Sequence, residues 1–388
     1  MRMRSEFRCA VASALASVFL FACTTANLLP FDAGQQIGPN TEGERRLWYA
    51  SAKLEESLRK SGQVYEDQKL NRYLQSILDR LYPEFKGHMR VHILKAPVLN
   101  AFAMPNGSIY VNLGLIAGLE NEAQLATVLA HEGVHFVNKH AALQREYHQN
   151  TSGLRMAAAL LGVAGLVAEL AMVTSVFGYS QHHEREADES GYDRLVAAGY
   201  DPREAPRAFQ HLMVEAKANK VPEPFFFSTH PKLKTRVQNF NALNEKMGAT
   251  GGDCGAVEYQ AHVGYLRPMV LQAKITAGKY DAVIAALSDD HAVRLHGPKA
   301  MFFLGEAFRL RNGKGDRDKA IACYHSAQEE LAGFAPLFKS LGILYFKTGA
   351  LDLSVKSFER YLQLNPHGSE SEFVRQYILK ASQCKVRP

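Results

Sequence analysis

Two histidines separated by three residues, with an acid directly after the first, form the most chemically specific group in this 388-residue chain: His131-Glu132-Gly133-Val134-His135. On a helix each residue advances by about 100°, so His131 and His135 return to one face and can offer two imidazole nitrogens to a single divalent metal ion. Glu132, beside them, is placed to take a proton from water at that ion. The pentapeptide supplies two ligands and a base. It needs a third ligand from elsewhere in the chain.

One way of completing such a site, the metzincin pattern, places Gly three residues and His six residues after the second histidine. Asn138 and Ala141 stand there, which excludes that class. The other, the gluzincin pattern, takes a Glu from a later helix, and Glu184-Arg185-Glu186-Ala187-Asp188 provides one. Glu184 and Asp188 are four apart and share a face. One carboxylate can bind the metal while the other orients a ligand imidazole from behind. His182 and His183, just upstream, are rival ligands.

Four segments in order now carry a resemblance: Asn100-Ala-Phe-Ala-Met-Pro-Asn-Gly107 before a strand, the His131–His135 motif with His140 five residues on, Glu184–Asp188, and Thr229-His230-Pro231 followed by Arg236. Together they resemble the HtpX and CAAX-prenyl-protease family of zinc endopeptidases over roughly residues 44–243. Gly133-Val134 reverses the family's usual apolar-then-Gly order. The resemblance implies one zinc ion per chain held by His131, His135 and Glu184, with Glu132 as general base. Asp188 is then the carboxylate that orients an imidazole. It further implies that the His230 segment lies over the metal, with His230 either filling the open coordination position as a latch or stabilising the transition state. Arg236 is expected to bind a substrate carbonyl or carboxylate, or to cap a helix, and Asn100 is expected to bind substrate. The strand 108–112 is expected to be the edge along which an extended peptide pairs.

The elements that must position these groups are partly visible. Leu119–His140 reads as one helix with Glu120 and Glu122 at its favourable N-terminal end. A second helix runs from His182 to Ala198 and is stopped by Gly199 and Pro202. Apolar spacing from Leu47 to Leu81 is helical, and Val91–Leu94 and Ser108–Asn112 are short β-rich runs around an Asn-Gly turn signal, suggesting a small sheet. Residues 246–257, rich in Gly, read as a linker between a 44–245 peptidase domain and a 258–388 repeat domain. In that second part, Leu341-Gly342, Tyr345, Gly349, Ser354, Phe358 and Pro366 follow the tetratricopeptide (TPR) consensus, with a looser copy at Leu304-Gly305, Phe308, Ala320, Tyr324 and Ala327. Such helix pairs stack into a solenoid whose concave side binds protein segments. The expected fold is therefore mainly α with a small β-sheet, a zincin-type α+β domain followed by an α-solenoid.

At its N-terminus the chain has a basic start and an apolar run from Cys9 to Ala22, the pattern of a signal peptide over residues 1–22. The run ends in Leu20-Phe21-Ala22-Cys23, similar to a lipoprotein cleavage box, which implies Cys23 as the lipidated residue and 23–43 as a tether to the outer membrane on the periplasmic side; the alternative is a simple secretory signal cut near Ala22 or Ala26. The formal charge of +6 falls to +4 when Arg2, Arg4, Arg8 and Glu6 leave with the signal, too mild a balance for nucleic-acid binding. Among the remaining cysteines, Cys254 with Cys384 is the favoured pair and Cys323 the odd thiol. The apolar stretch 156–178 is long enough to span a bilayer, but one span would put His131 and Glu184 on opposite sides, so it is expected to be a buried or interfacial helical loop. The sequence thus points to an exported zinc endopeptidase acting on unfolded or misassembled envelope proteins, with the repeats docking substrate or the outer-membrane assembly machinery. The alternative is a chaperone-like TPR adaptor with a closed, non-catalytic zinc site.

Overall fold

The computed structural model describes residues 28–32, 34, 36–151, 179–218 and 233–386, with backbone alone at 146–151 and 384–386. The signal peptide, Cys23, the stretch 156–178, His230 and the side chain of Cys384 lie outside the described residues.

The first helix, α1 (Glu42–Lys60), starts at a capping box: the Glu44 N–H donates to Thr41 Oγ1 at 3.1 Å, and Glu44 Oε2 accepts from the Thr41 N–H at 2.9 Å. Ser61 caps this helix, and Gly62, at φ 70°, separates it from the next within the stretch of helical apolar spacing. Helix α2 (Gln68–Leu81) begins at Asp67, which accepts from the N–H groups of Lys69 and Leu70, and it buries Leu70, Leu74, Ile77, Leu78 and Leu81 on one face.

Three strands follow: β1 (Arg90–Leu94), β2 (Ala101–Ala103) and β3 (Ser108–Asn112), in the order β1-β3-β2. β1 runs parallel to β3, from Arg90 opposite Ser108 to Leu94 opposite Asn112, and β2 runs antiparallel, with Ala103 opposite Ile109. The turn from β2 to β3 needs a glycine at 107: φ is +85°, and a Cβ there would lie 2.5 Å from the His88 carbonyl oxygen. β3 is therefore the central strand, not an edge. The expectation that 108–112 is free to pair with a peptide is corrected by this topology, which makes β1 and β2 the outer strands.

After the short α3 (Leu113–Gly118) comes α4 (Glu122–Val137), capped by Asn121 and buried at every residue. A helix buried on all sides must be central. It packs against α2, β2, α6 (Gln181–Ala197) and α7 (Glu204–Ala218), and α8 (Leu233–Met247) closes over α6 and α7. The expected single helix to His140 instead breaks at Asn138. Lys139 takes a left-handed φ of 55°, and His140 opens a new helix, α5 (His140–Thr151).

The Gly-rich stretch 246–257 is tied into the body: the Asp253 N–H donates to Gly199, the Ala123 N–H donates to the Cys254 carbonyl, and a Cβ on Gly252 would collide with the Tyr200 backbone at 2.6 Å. Beyond it, α9 (Ala256–Val263) and α10 (Leu266–Thr276) bury Tyr259, Val263, Leu266 and Val270 in the same core as α2 and α4. The stretch expected to be a tether is docked at Phe31, whose ring lies tilted against Phe136 at 5.0 Å and whose N–H bonds to the Val137 carbonyl at 2.8 Å.

A second core begins at Leu271 and runs through α11 (Tyr280–Ala286), α12 (Asp290–His296), α13 (Ala300–Arg311), α14 (Asp316–Gln328) and α15 (Ala335–Lys347). α16 (Leu351–Leu364) and α17 (Ser371–Val386) complete the chain. The hairpins α13–α14 and α15–α16 are closed alike: Gly305 lies against the Tyr324 ring and Gly342 against the Phe358 ring, each so close that a Cβ would sit 2.5 Å from ring carbon. Cys254 and Cys323 are free thiols. Among the described residues, no helix is long and apolar enough to cross a membrane.

Candidate metal centre

Helix α4 brings His131, Glu132 and His135 into the interior at 1%, 0% and 2% exposure. Helix α6 approaches through Gly191, where a Cβ would lie 3.2 Å from the His131 nitrogen and 3.3 Å from the Ala130 carbonyl carbon. That close approach sets Glu184 opposite the two histidines. His131 Nε2 and His135 Nε2 are 3.0 Å apart, and the Glu184 carboxylate oxygens stand 3.7 Å and 3.6 Å from them. All three ligand atoms fall within 4.8 Å of one another. His182 is exposed and His183 stacks on His140 at 4.5 Å, so neither rival joins the group.

The residues behind the histidines test whether a metal fits. Asp188, 1% exposed, places Oδ1 3.0 Å from His131 Nδ1. A carboxylate only accepts, so it fixes the proton on Nδ1 and leaves a lone pair on Nε2. Arg236 Nη2 also lies 2.7 Å from His131 Nδ1, but a guanidinium has no lone pair; both groups donate to the same Asp188 oxygen, Nη2 at 2.6 Å. On the other side, His135 Nδ1 faces His140 Nδ1 at 2.8 Å. Two imidazole lone pairs 3.0 Å apart repel unless a cation lies between them. Two imidazoles and one carboxylate, buried and converging, make the donor set of a catalytic zinc ion with an open fourth position.

Glu132 sits on the far side of the motif, and its Oε2 accepts from the Ala103 N–H at 3.0 Å. In β2 the Asn100 carbonyl and the Met104 N–H bond to β3, so the groups of Ala103 point to the outer edge of the sheet. The base and the sheet edge therefore meet. Gly133 accounts for the reversed Gly-Val order: a Cβ there would lie 2.3 Å from the Tyr82 ring, which packs on α4 and donates its hydroxyl to the Ala130 carbonyl.

Two expected site residues are found in other company. Arg236, expected at substrate or as a cap, is 2% exposed; its guanidinium grips Asp188 and stacks 3.9 Å over the Phe209 ring. So enclosed, it contacts the residues that lie behind His131. Asn100 is buried, and its carbonyl accepts from the Asn112 N–H at 2.9 Å, which anchors the start of β2.

Residues 66–244 match peptidase family M48. This segment is a peptidase family M48 domain. Over 195 residues the chain is 29% identical to the β-barrel assembly-enhancing protease of Escherichia coli (strain K12), covering 46% of this chain and 40% of that one. It is 32% identical over 146 residues to the mitochondrial metalloendopeptidase OMA1 of Arabidopsis thaliana (38% and 30%) and 31% identical over 169 residues to the metalloprotease LoiP of Escherichia coli (strain K12) (41% and 63%). The chain thus spans about two fifths of the length of the assembly-enhancing protease it matches.

The M48 domain contains three site neighbours to which the sequence reading gave no role. Tyr179 stacks on His135 with ring centroids 3.8 Å apart, and burial, with Glu132 and Glu184 nearby, raises its phenol well above the ordinary range. His140 is wholly buried, and that burial, with His183 beside it, lowers its imidazole to about 4, so it is neutral at physiological pH. Glu186 bonds His140 Nε2 at 3.2 Å. A continuous helix would turn His140 about 140° away from His135, so spacing gives no hint of this contact.

Proposed function

We propose that this protein is an exported zinc endopeptidase of envelope protein quality control. The observation that carries the reading is the buried convergence of His131, His135 and Glu184 beside Glu132 inside an M48 domain. Zinc bound there would polarise the scissile carbonyl and acidify water. Glu132, its carboxylate steered by the Ala103 N–H, accepts the proton from the attacking water and returns it to the leaving amine. An extended peptide adds along the outer edge of β2, beginning near Asn100, in place of the β3 edge that the topology excludes. His230, through the role that the resemblance implies, would limit idle hydrolysis.

The finer assignments rest on the sequence. Cys23 is the lipidated residue that holds the enzyme on the periplasmic side of the outer membrane. The Gly-to-ring closure of both C-terminal hairpins supports TPR-like repeats. These dock unfolded substrates or the outer-membrane assembly machinery; the Escherichia coli relative is named for enhancing β-barrel assembly.

Casein digestion by the full-length protein, with metal analysis, tests the reading. Glu132→Gln is expected to keep zinc and lose cleavage by about 10²–10⁴-fold. Cleavage equal to the unmodified chain would sink the enzyme reading; zinc binding without any cleavage by the unmodified chain would favour the chaperone-like adaptor. His230→Ala is expected to raise the rate, and a drop would instead make His230 a transition-state group.

A further inference from the structure

The two histidines of the metal centre are held from behind by different means. His131 meets a carboxylate directly, in Asp188. His135 meets another imidazole: its Nδ1 faces His140 Nδ1 at 2.8 Å, and His140 Nε2 faces Glu186 Oε2 at 3.2 Å. The second oxygen of Glu186 accepts from Asn138 Nδ2 at 2.7 Å, which fixes the carboxylate at the end of α4.

Proton accounting gives this chain a direction. Glu186 accepts only, so His140 carries its proton on Nε2, and its Nδ1 offers a lone pair. His135 must then donate from Nδ1, which leaves the lone pair on Nε2, the nitrogen that faces His131 and Glu184. The reverse order would put the proton on His135 Nε2 and block ligation.

We propose that His140 and Glu186 act as a two-residue relay that fixes His135 in its metal-binding tautomer, a positioning role matching that of Asp188 on His131. The inference rests on the reading of His131, His135 and Glu184 as metal ligands. Lys139 shows how the fold assembles the relay. Its left-handed backbone, φ 55°, breaks the helix and returns His140 beneath His135. That uncommon conformation in a non-glycine residue is held by a buried ion pair from Lys139 Nζ to Glu44 at 3.0 Å and by the Phe31 ring 4.3 Å from Nζ.

The test measures zinc affinity in the full-length chain by competition with a chromophoric chelator, together with the visible spectrum of the cobalt(II)-loaded protein. His140→Leu is expected to bind zinc about 10–100-fold more weakly and to shift the cobalt bands. His140→Asn, whose amide oxygen can accept from His135 Nδ1, is expected to recover most of the affinity. Glu186→Gln, which keeps an acceptor without its charge, is expected to fall between the unmodified chain and His140→Leu. A folded His140→Leu with unchanged zinc affinity overturns the relay, as does His140→Asn performing no better than His140→Leu. If His140→Leu does not fold, the half-buried Glu186 decides: Glu186→Gln with unchanged affinity and spectrum overturns the relay, and a loss supports it. An unmodified chain that binds zinc but leaves casein intact removes the peptidase reading and not the relay; one that binds no zinc removes both.

Discussion

Gly191 of α6 lies against the backbone of His131 in α4, close enough that a Cβ would stand 3.2 Å from the His131 nitrogen. Two of the three ligands sit on one of these helices and the third on the other, so the distance between the helices sets the width of the metal site. Gly191→Val, which adds two methyl groups beyond that Cβ, is expected to wedge the helices apart. The expected result is weaker zinc binding and a loss of about 1–3 kcal/mol in stability, with helical content retained. Chelator competition and thermal unfolding measure both; native zinc affinity in a folded Gly191→Val would show that the spacing is not set here.

Gly133 answers to Tyr82 in the same way, with steric room of only 2.3 Å for a new Cβ. Alanine is the better helix former by about 1 kcal/mol. Even so, Gly133→Ala is expected to destabilise, because the buried Tyr82 ring cannot move aside cheaply. In a Tyr82→Leu background the sign is expected to reverse, with Gly133→Ala becoming neutral or stabilising. Denaturant unfolding of the four proteins gives the coupling, and additive effects would refute it.

Asp188 serves His131 and neutralises Arg236 at once. Asp188→Asn is expected to weaken zinc binding about 10–100-fold. It also leaves the buried guanidinium with only the longer pairing to Glu184, 4.0 Å from Nη1, at a cost of up to about 3–5 kcal/mol. The two effects separate in the double variant: Arg236→Met in the Asp188→Asn background is expected to restore stability and leave zinc affinity low. Recovery of both would show that Asp188 acts on the metal only through Arg236.

Glu44 and Lys139 form a buried pair at 3.0 Å. Burial opposes ionisation of Glu44, but Lys139 and the N–H groups of Thr41 and Asn40 outweigh it and hold the carboxyl below its ordinary value of 4.5. A carboxyl depressed by folding adds stability above its unfolded value and loses it as the pH falls through the folded one. The melting-temperature gap between the unmodified chain and Glu44→Gln is therefore expected to stay constant from pH 8 to 6 and to shrink below about 4.5. A gap that grows on acidification would contradict the pairing.

Much of the centre was legible before the fold. The His131–His135 spacing, Glu132 between them, and Glu184 with Asp188 one turn apart are relations within single helices, where the helical period alone decides which side chains share a face. The edge strand was not legible. Both β-rich runs have strand composition, but which of them lies at the border depends on β2, three residues whose pairing with β3 is a long-range choice. The surroundings of Arg236 were not legible for a related reason: an arginine after a His-Pro segment suits a substrate contact or a cap, and only the packing of α8 on α6 and Phe209 sets it against Asp188.

The sequence by itself determined the donor types, their helical registers and the hairpin character of the C-terminal third, because these follow from local periodicity and from small residues placed opposite rings. Tertiary structure decided which nitrogen of each histidine is left for the metal. That choice depends on Asp188 from α6 for His131, and for His135 on His140, returned beneath it by the left-handed Lys139, with Glu186 reaching it from α6. A tautomer is set by what a side chain touches in space, and no spacing along the chain encodes that contact.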